Sequence, residues 1–419
     1  MIGAGSTYTP ELVAGLAAVR ASLPVATLAL MDPDPDRLAV VGGLVRRMLL
    51  HRGLGMEVLA TTDRTEALRD ADAVLVQLRV GGQAARLGDE TFPLACGCIG
   101  QETTGAGGAA KALRTVPVVL DVAEEARRVS RPDAWIVDFT NPVGIVTRAL
   151  LDAGHRAVGL CNFAIGMQRW AARTLGAAPE RVQVDPVGLN HFSWIRRILL
   201  DDVDVLPAML TDRMDAITDH LPFPAQLIAD LGALPSSYLR YYYAHDEELA
   251  RQRVDRPRAE VVAEVERSLL AAYADPGLVD RPAELSQRGG AFYSDAAVAL
   301  LVSLVTGDGA THVVNVRNGS TIPGLAPDDV IEVPCRVGRH GPVPLPQPPP
   351  APDLAGRIAA VAAYERLVAR AAVTGEVAVL RRALLAHPLI GQWATVERLV
   401  PALLGSGARH LPQFDLEDG

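Results

Sequence analysis

Cysteine is scarce in this chain. Its 419 residues hold four, Cys96, Cys98, Cys161 and Cys335, too few and too scattered for a disulfide framework. Cys96-Gly97-Cys98 lacks the two-residue spacing of a redox or metal pair, so both are expected as packed thiols, and a reducing cytosol is the expected compartment. Excess positive charge is also missing. A formal net charge of −9 and a pI near 5.5 argue against nucleic acid or an anionic membrane as the main partner. They leave room for a local basic pocket that takes an anionic small molecule. No charged-then-apolar leader opens the chain and no run of about eighteen apolar residues follows, so neither secretion nor a membrane span is expected. Internal repeats are absent. The length is expected to form two or three domains, with ample residues for a large core.

The chain begins with a glycine turn. Met1-Ile2-Gly3-Ala4-Gly5-Ser6-Thr7-Tyr8-Thr9-Pro10 reads as a strand end, a tight turn, and a helix entered through Thr9 as N-cap with Pro10 at the first helical position. Gly3 and Gly5 let the backbone approach a pyrophosphate, which the helix N-terminus favours. Tyr8 stands where the usual third glycine would be, and a plain turn fits these residues equally well. Context favours the nucleotide reading. Residues 25–31 read as the next strand and end at Asp32, the acidic residue expected to bond a ribose hydroxyl. Further strands at 56–60, 73–78 and 134–138 alternate with helices, notably 111–129 and 143–153. This alternation predicts an α/β fold opening with a Rossmann-type, doubly wound parallel sheet.

Polar loops follow several of these strands. They are Arg79 to Arg86, with Asp89 and Glu90 beyond; Gly100-Gln101-Glu102-Thr103-Thr104-Gly105; and Phe139-Thr140-Asn141-Pro142. Each alone is an ordinary solvated turn, but three at the carboxyl edge of one sheet point to a site. Cys161 ends a buried apolar run, and His191 follows thirty residues later, beside Asn190, at the start of an alternating run. A thiolate and an imidazole from two strands could hold a divalent metal with open positions for substrate, although a cysteine ending a buried strand is usually a core residue.

Beyond Asn162 the pattern changes. Residues 165–175 are an amphipathic helix, and 182–187 and Phe192–Leu200 alternate like antiparallel strands. Tyr238, Tyr241, Tyr242 and Tyr243 crowd into one short stretch, in a chain with only eight tyrosines; packing with satisfied hydroxyls is the usual fate of such a cluster. Helices are expected at 259–273, 296–305, 354–372 and 393–404, and strands at 313–316 and 330–334. The proline-rich stretch 342–352 reads as an extended surface connection. The expected division is a dinucleotide domain over 1–162 and an α+β substrate, metal and oligomerisation domain over 163–419.

Taken in order, these motifs resemble glycoside hydrolase family 4. Gly-x-Gly-Ser-Thr-Tyr-Thr-Pro-Glu-Leu from Gly3, Arg-Val-Gly-Gly-x-x-Ala-Arg ending at Arg86, Gly-Gln-Glu-Thr-Thr-Gly from Gly100 and Asn-Pro-Val-Gly-Ile-Val-Thr from Asn141 carry the first half. Gly-Leu-Cys-Asn at Cys161, Gly-Leu-Asn-His-Phe at His191, Pro-x-x-Tyr-Leu-Arg-Tyr-Tyr-Tyr at Tyr238, Arg288 to Ser294 and Asn318-Gly319 carry the second. Cys161-Asn162 is more like the 6-phospho-β-glucosidases, since the α-specific branch more often carries Asp after the cysteine.

The resemblance implies a lactate/malate dehydrogenase-like fold, NAD and Mn²⁺ (or another divalent metal) as cofactors, and a phosphorylated glycoside as substrate. It also implies hydrolysis outside the usual two-carboxylate scheme. In it, transient oxidation at C3 acidifies the C2 proton, a tyrosine base removes that proton, and a divalent metal stabilises the enediolate. The aglycone is then eliminated, water adds, and C3 is reduced again. By the resemblance, Cys161 and His191 hold the metal, Tyr238 is the base with Tyr241 as runner-up, and Arg86, Asn141, Asn162 and Arg258 bind substrate. Gly3, Gly5, Ser6, Thr7, Asp32 and Arg37 would contact the dinucleotide. Arg258 reads equally well as a solvated arginine at a helix start. Thiolate and imidazole by themselves suit zinc, so manganese comes from the resemblance alone. Asn162 cannot protonate a leaving group, which leaves acid assistance to water or to another residue.

Other readings stay open at this point. They are a related family 4 α-glycosidase, galactosidase or glucuronidase, a 2-hydroxy acid dehydrogenase, and a catalytically silent NAD-binding sugar-phosphate sensor. A homodimer or homotetramer is expected from the apolar late helices.

Overall fold

The computed structural model describes residues 1–288 and 292–414. Five short parallel strands, β1 (Thr27–Met31), β2 (Glu57–Thr61), β3 (Ala73–Val76), β4 (Trp135–Asp138) and β5 (Ala157–Gly159), form the first half of the main sheet. Val76, Val137 and Val158 at its centre are at most 1% exposed, as expected for strands covered by helices on both faces. The missing first strand is supplied by a single residue. Ile2 bridges Met31 on one side and Val76 on the other, both parallel. Its N–H donates to the Leu75 carbonyl at 2.8 Å and its own carbonyl accepts from Gln77 N–H at 3.0 Å. In chain order the strands therefore run 3-2-1-4-5-6, the dinucleotide-fold order, and the order reverses between Ile2 and β3. Gly3 to Gly5 and Gln77 to Gly82 leave the sheet at that crevice.

The second half begins with the hairpin β6 (Val182–Leu189) and β7 (Phe192–Leu200), extended by β8 (Val203–Asp204) and β9 (Leu234–Pro235). Later strands return to the first sheet. β10 (Thr311–Arg317) pairs antiparallel with β5 through Asn315 and Gly159, followed by β11 (Val330–Gly338) and β12 (Gly341–Pro344). One sheet thus runs across residue 162.

Several local expectations are corrected. Thr9 is not the N-cap: the helix is Thr9–Ala18 with Tyr8 before it, and the Thr9 hydroxyl donates to the Ala4 carbonyl at 2.8 Å, holding the glycine turn closed. The proline stretch is not wholly a connection, because its first residues form edge strand β12, where a missing N–H faces away from the ladder. The Arg79–Arg86 segment is a loop only as far as Gly81; Gly82–Ala95 is helical and carries Arg86. The glycine motif at 289–291 lies outside the described residues, and Tyr293 opens the helix Tyr293–Thr306.

Helix Gly105–Val129 covers the sheet beside the crevice. Its glycines and alanines let it sit close: a Cβ on Gly107 would lie 2.3 Å from the Asp89 carbonyl oxygen. Arg114 on this helix donates to Asp89 at 2.8 Å and to the Val80 carbonyl at 3.0 Å, tying helix Gly82–Ala95 to it. Among the described residues no helix is long and apolar enough to cross a membrane.

Candidate active site

A cavity of about 1540 Å³ opens at the crevice. Gly3, Gly5, Ser6, Asp32 and Arg37 line one end, and Arg86, Asn141, Asn162, His191, Tyr238, Tyr241 and Arg258 line the other. Residues from Gly3 to Arg258 thus share one space. It is larger than a usual single-ligand pocket, with room for a dinucleotide and a sugar together. Thr7 and Cys161 are the exceptions among the expected site residues, both absent from the lining; Thr7 is fully buried and its carbonyl accepts from the Tyr273 hydroxyl at 2.8 Å.

The nucleotide end is built tightly. Asp32, one residue past β1, accepts from Gly5 N–H at 2.8 Å, and the Arg37 Nε donates to the Gly5 carbonyl at 3.2 Å. Gly3 holds φ +85, and a Cβ there would meet the Gln77 carbonyl oxygen at 2.4 Å. Only glycine lets the turn pass this close to the neighbouring strand end.

At the other end, His191 occupies the β6–β7 turn at φ +60, a left-handed backbone that a non-glycine residue adopts at some cost. Its tautomer follows from its neighbours. The Gln101 side-chain oxygen accepts from Thr103 N–H and Thr104 N–H, so it is a carbonyl, and the Thr103 hydroxyl donates to it at 2.7 Å. That hydroxyl is then left to accept from His191 Nδ1–H at 3.2 Å. The Nε2 lone pair therefore remains as a donor to a cation. Burial, with Lys111 adding to it, pushes the imidazole down to about 3, so it is neutral at physiological pH.

Cys161 lies two residues past β5 at 4% exposure and, unlike Asn162, is absent from the cavity lining. Burial and then Glu332 push its thiol up, while the backbone of Phe163, the Asn190 side chain and the backbone of Asn162 pull the other way. A bound cation would deprotonate such a thiol. Among the described residues no three His, Cys, Asp or Glu side chains gather as a closed metal cage. The donor set fits a divalent ion held by two protein ligands, with the remaining positions left to oxygen atoms.

Tyr238 stacks on His191, with ring centroids 3.8 Å apart and planes 11° from parallel. Its phenol is pushed up by burial and then by Cys161, with Arg86 pulling down. The rest of the tyrosine cluster divides by direction. Tyr241 accepts from Arg240 at 2.9 Å beside the cavity, Tyr242 bonds Thr104 at 2.8 Å, and Tyr243 accepts from Trp194 at 3.1 Å. Asn141 presents a buried side-chain oxygen with no hydrogen-bond partner among the described residues, in the cavity wall, as a site for a substrate hydroxyl would.

Two residues that sequence reasoning did not single out complete this wall. Glu102 accepts from Lys111 at 2.6 Å and from Arg79, and Arg86 lies 3.2 Å from it. Burial would raise this carboxyl, but Arg79, Lys111 and Arg86 together hold it well below the usual range. Lys111 is the chain's only lysine; burial pushes it down to about 7 against the pull of Glu102. A lone lysine in an alanine-rich helix was the available signal. Arg86 also donates to Glu90 at 2.7 Å, and Glu90 in turn accepts from Ala259 N–H at 2.8 Å, capping the helix that begins with Arg258.

A dinucleotide-type crevice whose cavity is also lined by His191 and Tyr238, with the Cys161 thiol buried next to the lining residue Asn162, fits a Rossmann-type enzyme site better than a simple binding module. Comparison with known proteins narrows the class. Residues 1–177 match the family 4 glycosyl hydrolase model, and residues 186–390 match the family 4 glycosyl hydrolase C-terminal domain. The chain belongs to this family. The 6-phospho-beta-glucosidase of Escherichia coli K12 is 37% identical, with 99% of this chain and 96% of that protein covered. The 6-phospho-beta glucosidase from Thermotoga maritima, solved with manganese, NAD⁺ and glucose-6-phosphate, superposes with a TM-score of 0.92 at 33% identity over 98% of each chain. Malate dehydrogenase from Plasmodium falciparum, at 13% identity and a TM-score of 0.52, shares the fold. The expected fold class therefore holds.

Proposed function

We propose that this chain hydrolyses 6-phospho-β-glucosides using NAD and a divalent cation, manganese by preference. The observation that carries the reading is the meeting, in one cavity, of the glycine loop with a neutral His191 whose Nε2 is free and which is stacked on Tyr238. NAD when bound supplies a reversible hydride acceptor, and the cation supplies Lewis acidity. Gly3, Gly5, Ser6, Asp32 and Arg37 hold the dinucleotide in this reading, and Cys161 and His191 hold the cation.

The chain's own side chains then do the proton work. Asn141 and Arg86 fix the sugar, and Arg258, at the rim, takes the 6-phosphate as a bidentate donor. Oxidation at C3 makes the C2 proton acidic, and Tyr238 accepts it. The aglycone leaves C1, water adds, and C3 is reduced, so the net reaction is hydrolysis. Asn162, which has no acidic proton, supports the β-branch over the α-branch. Residues 1–162 carry the dinucleotide and share the substrate side with residues 163–419, in a cytoplasmic dimer or tetramer.

Nitrophenol release from a nitrophenyl 6-phospho-β-glucoside, measured with and without NAD and Mn²⁺, tests this. The Cys161→Ser variant is run alongside and should lose activity while retaining NAD binding. No release from the wild type under any of these conditions sinks the proposal, and steady accumulation of NADH would point to a dehydrogenase instead.

A further inference from the structure

Behind the cavity, a buried polar cluster joins the two candidate metal ligands, and the proposed reaction makes no use of it. Glu332 lies on β11 in register with Asn315 of β10, and Asn315 pairs with Gly159, two residues before Cys161. Residues 159 and 161 fall on the same side of an extended chain. The Glu332 carboxylate is 1% exposed. Its Oε2 accepts from Asn190 Nδ2 at 3.0 Å and Asn315 Nδ2 at 3.2 Å, and its Oε1 accepts from the Ser193 hydroxyl at 3.3 Å. Among the described residues these partners are two amides and a hydroxyl, with no cation among them.

Asn190 is the pivot. Its side chain donates to Glu332 and stands close enough to the Cys161 thiol to pull it down, and its backbone leads directly into His191. The two N–H bonds of one carboxamide diverge at a fixed angle, so anchoring one of them aims the other. A single side chain thereby links the sulfur of one candidate ligand to the backbone of the other. The anchor itself is a carboxylate buried without a countercharge, an arrangement that is unfavourable unless a cation sits close by.

We infer that Glu332 is a positioning residue for the metal site, aiming Asn190 at Cys161, steadying the His191 turn and adding its charge to the attraction for a divalent ion. The inference rests on reading Cys161 and His191 as the ligands. Carboxylates one step behind a ligand act this way in metal sites generally, and their loss lowers metal affinity about 10- to 100-fold.

Cobalt(II) is the probe, because a thiolate ligand gives it a charge-transfer absorption band. Wild type, Glu332→Gln, Asn190→Ala and Cys161→Ser are titrated with Co²⁺, while NAD affinity is measured separately by calorimetry. The expected result is about 10- to 100-fold weaker Co²⁺ binding and a displaced band in Glu332→Gln, with NAD affinity unchanged. Asn190→Ala should move in the same direction, and it decides the matter if Glu332→Gln does not fold. Wild-type affinity and an unshifted band in the folded variants overturn the inference while leaving the metal site standing. A wild type that shows no thiolate band, or none beyond that of Cys161→Ser, overturns the metal site and this inference with it.

Discussion

Tyr238 is the residue on which the proposed chemistry can most readily fail. Burial and then Cys161 push its phenol above its ordinary value, and Arg86 is the cation that opposes them. To accept a proton near neutrality the phenol must come down by more than about 3 units, at least ~4 kcal/mol. A doubly charged ion at an effective dielectric of ~20 supplies ~33/r kcal/mol, with r in Å, and so reaches that figure within about 8 Å. A divalent ion close to this phenol is therefore required, and the imidazole stacked against it at 3.8 Å is a candidate ligand in direct contact with it. Two outcomes follow. Tyr238→Phe should lower kcat about 10²- to 10⁴-fold while Co²⁺ and NAD still bind. The near-ultraviolet absorbance of a tyrosinate should appear in the wild type at neutral pH only after metal is added, and should be missing from the variant. A folded Tyr238→Phe enzyme that retains wild-type kcat refutes the reasoning. So does a metal-induced tyrosinate signal that survives in this variant and vanishes in Tyr241→Phe.

Gly5→Ala places a Cβ 2.7 Å from the Asp32 carboxylate and breaks its 2.8 Å bond to the turn; loss of that charged hydrogen bond should weaken NAD binding about 10- to 100-fold with circular dichroism unchanged. Calorimetry showing native NAD affinity would remove Asp32 from the cofactor site. At His387, which is fully enclosed, burial pushes the imidazole down to about 3. Its folded value lies below its unfolded one, near 6.5. It therefore costs the fold nothing above about pH 6.5 and destabilises it as pH falls toward 3, by up to ~1.4 kcal/mol per pH unit. Urea midpoints across that window should fall less steeply for His387→Asn than for wild type; identical slopes would show that this imidazole is charged in the folded state.

Much of the molecule was legible in the one-dimensional pattern. Apolar runs alternating with helical stretches were enough for a doubly wound sheet, because buried parallel strands must be continuously apolar. The glycine turn, Asp32, Cys161 and His191 could be named from residue type at strand ends. Thr9 was misread because the sequence shows a hydroxyl before a proline but not its partner, the Ala4 carbonyl. β12 was missed because proline marks a connection unless a sheet edge happens to lie beside it. Glu102 was marked only as part of a polar loop and Lys111 not at all, since the pairing of two residues nine apart cannot be read until a helix start turns both groups into one cavity.

By itself the sequence determined the kind of fold, the order of its motifs and a short set of side chains with the right chemistry, since those depend on periodicity and residue type. Only the tertiary structure decided which of four crowded tyrosines meets His191, which nitrogen of that ring is free, and that Asn190, next to His191, is held by Glu332. Those outcomes depend on hydrogen-bond partners and electric fields from groups tens to hundreds of residues away. Local patterning carries no information about them until the chain has closed the distance.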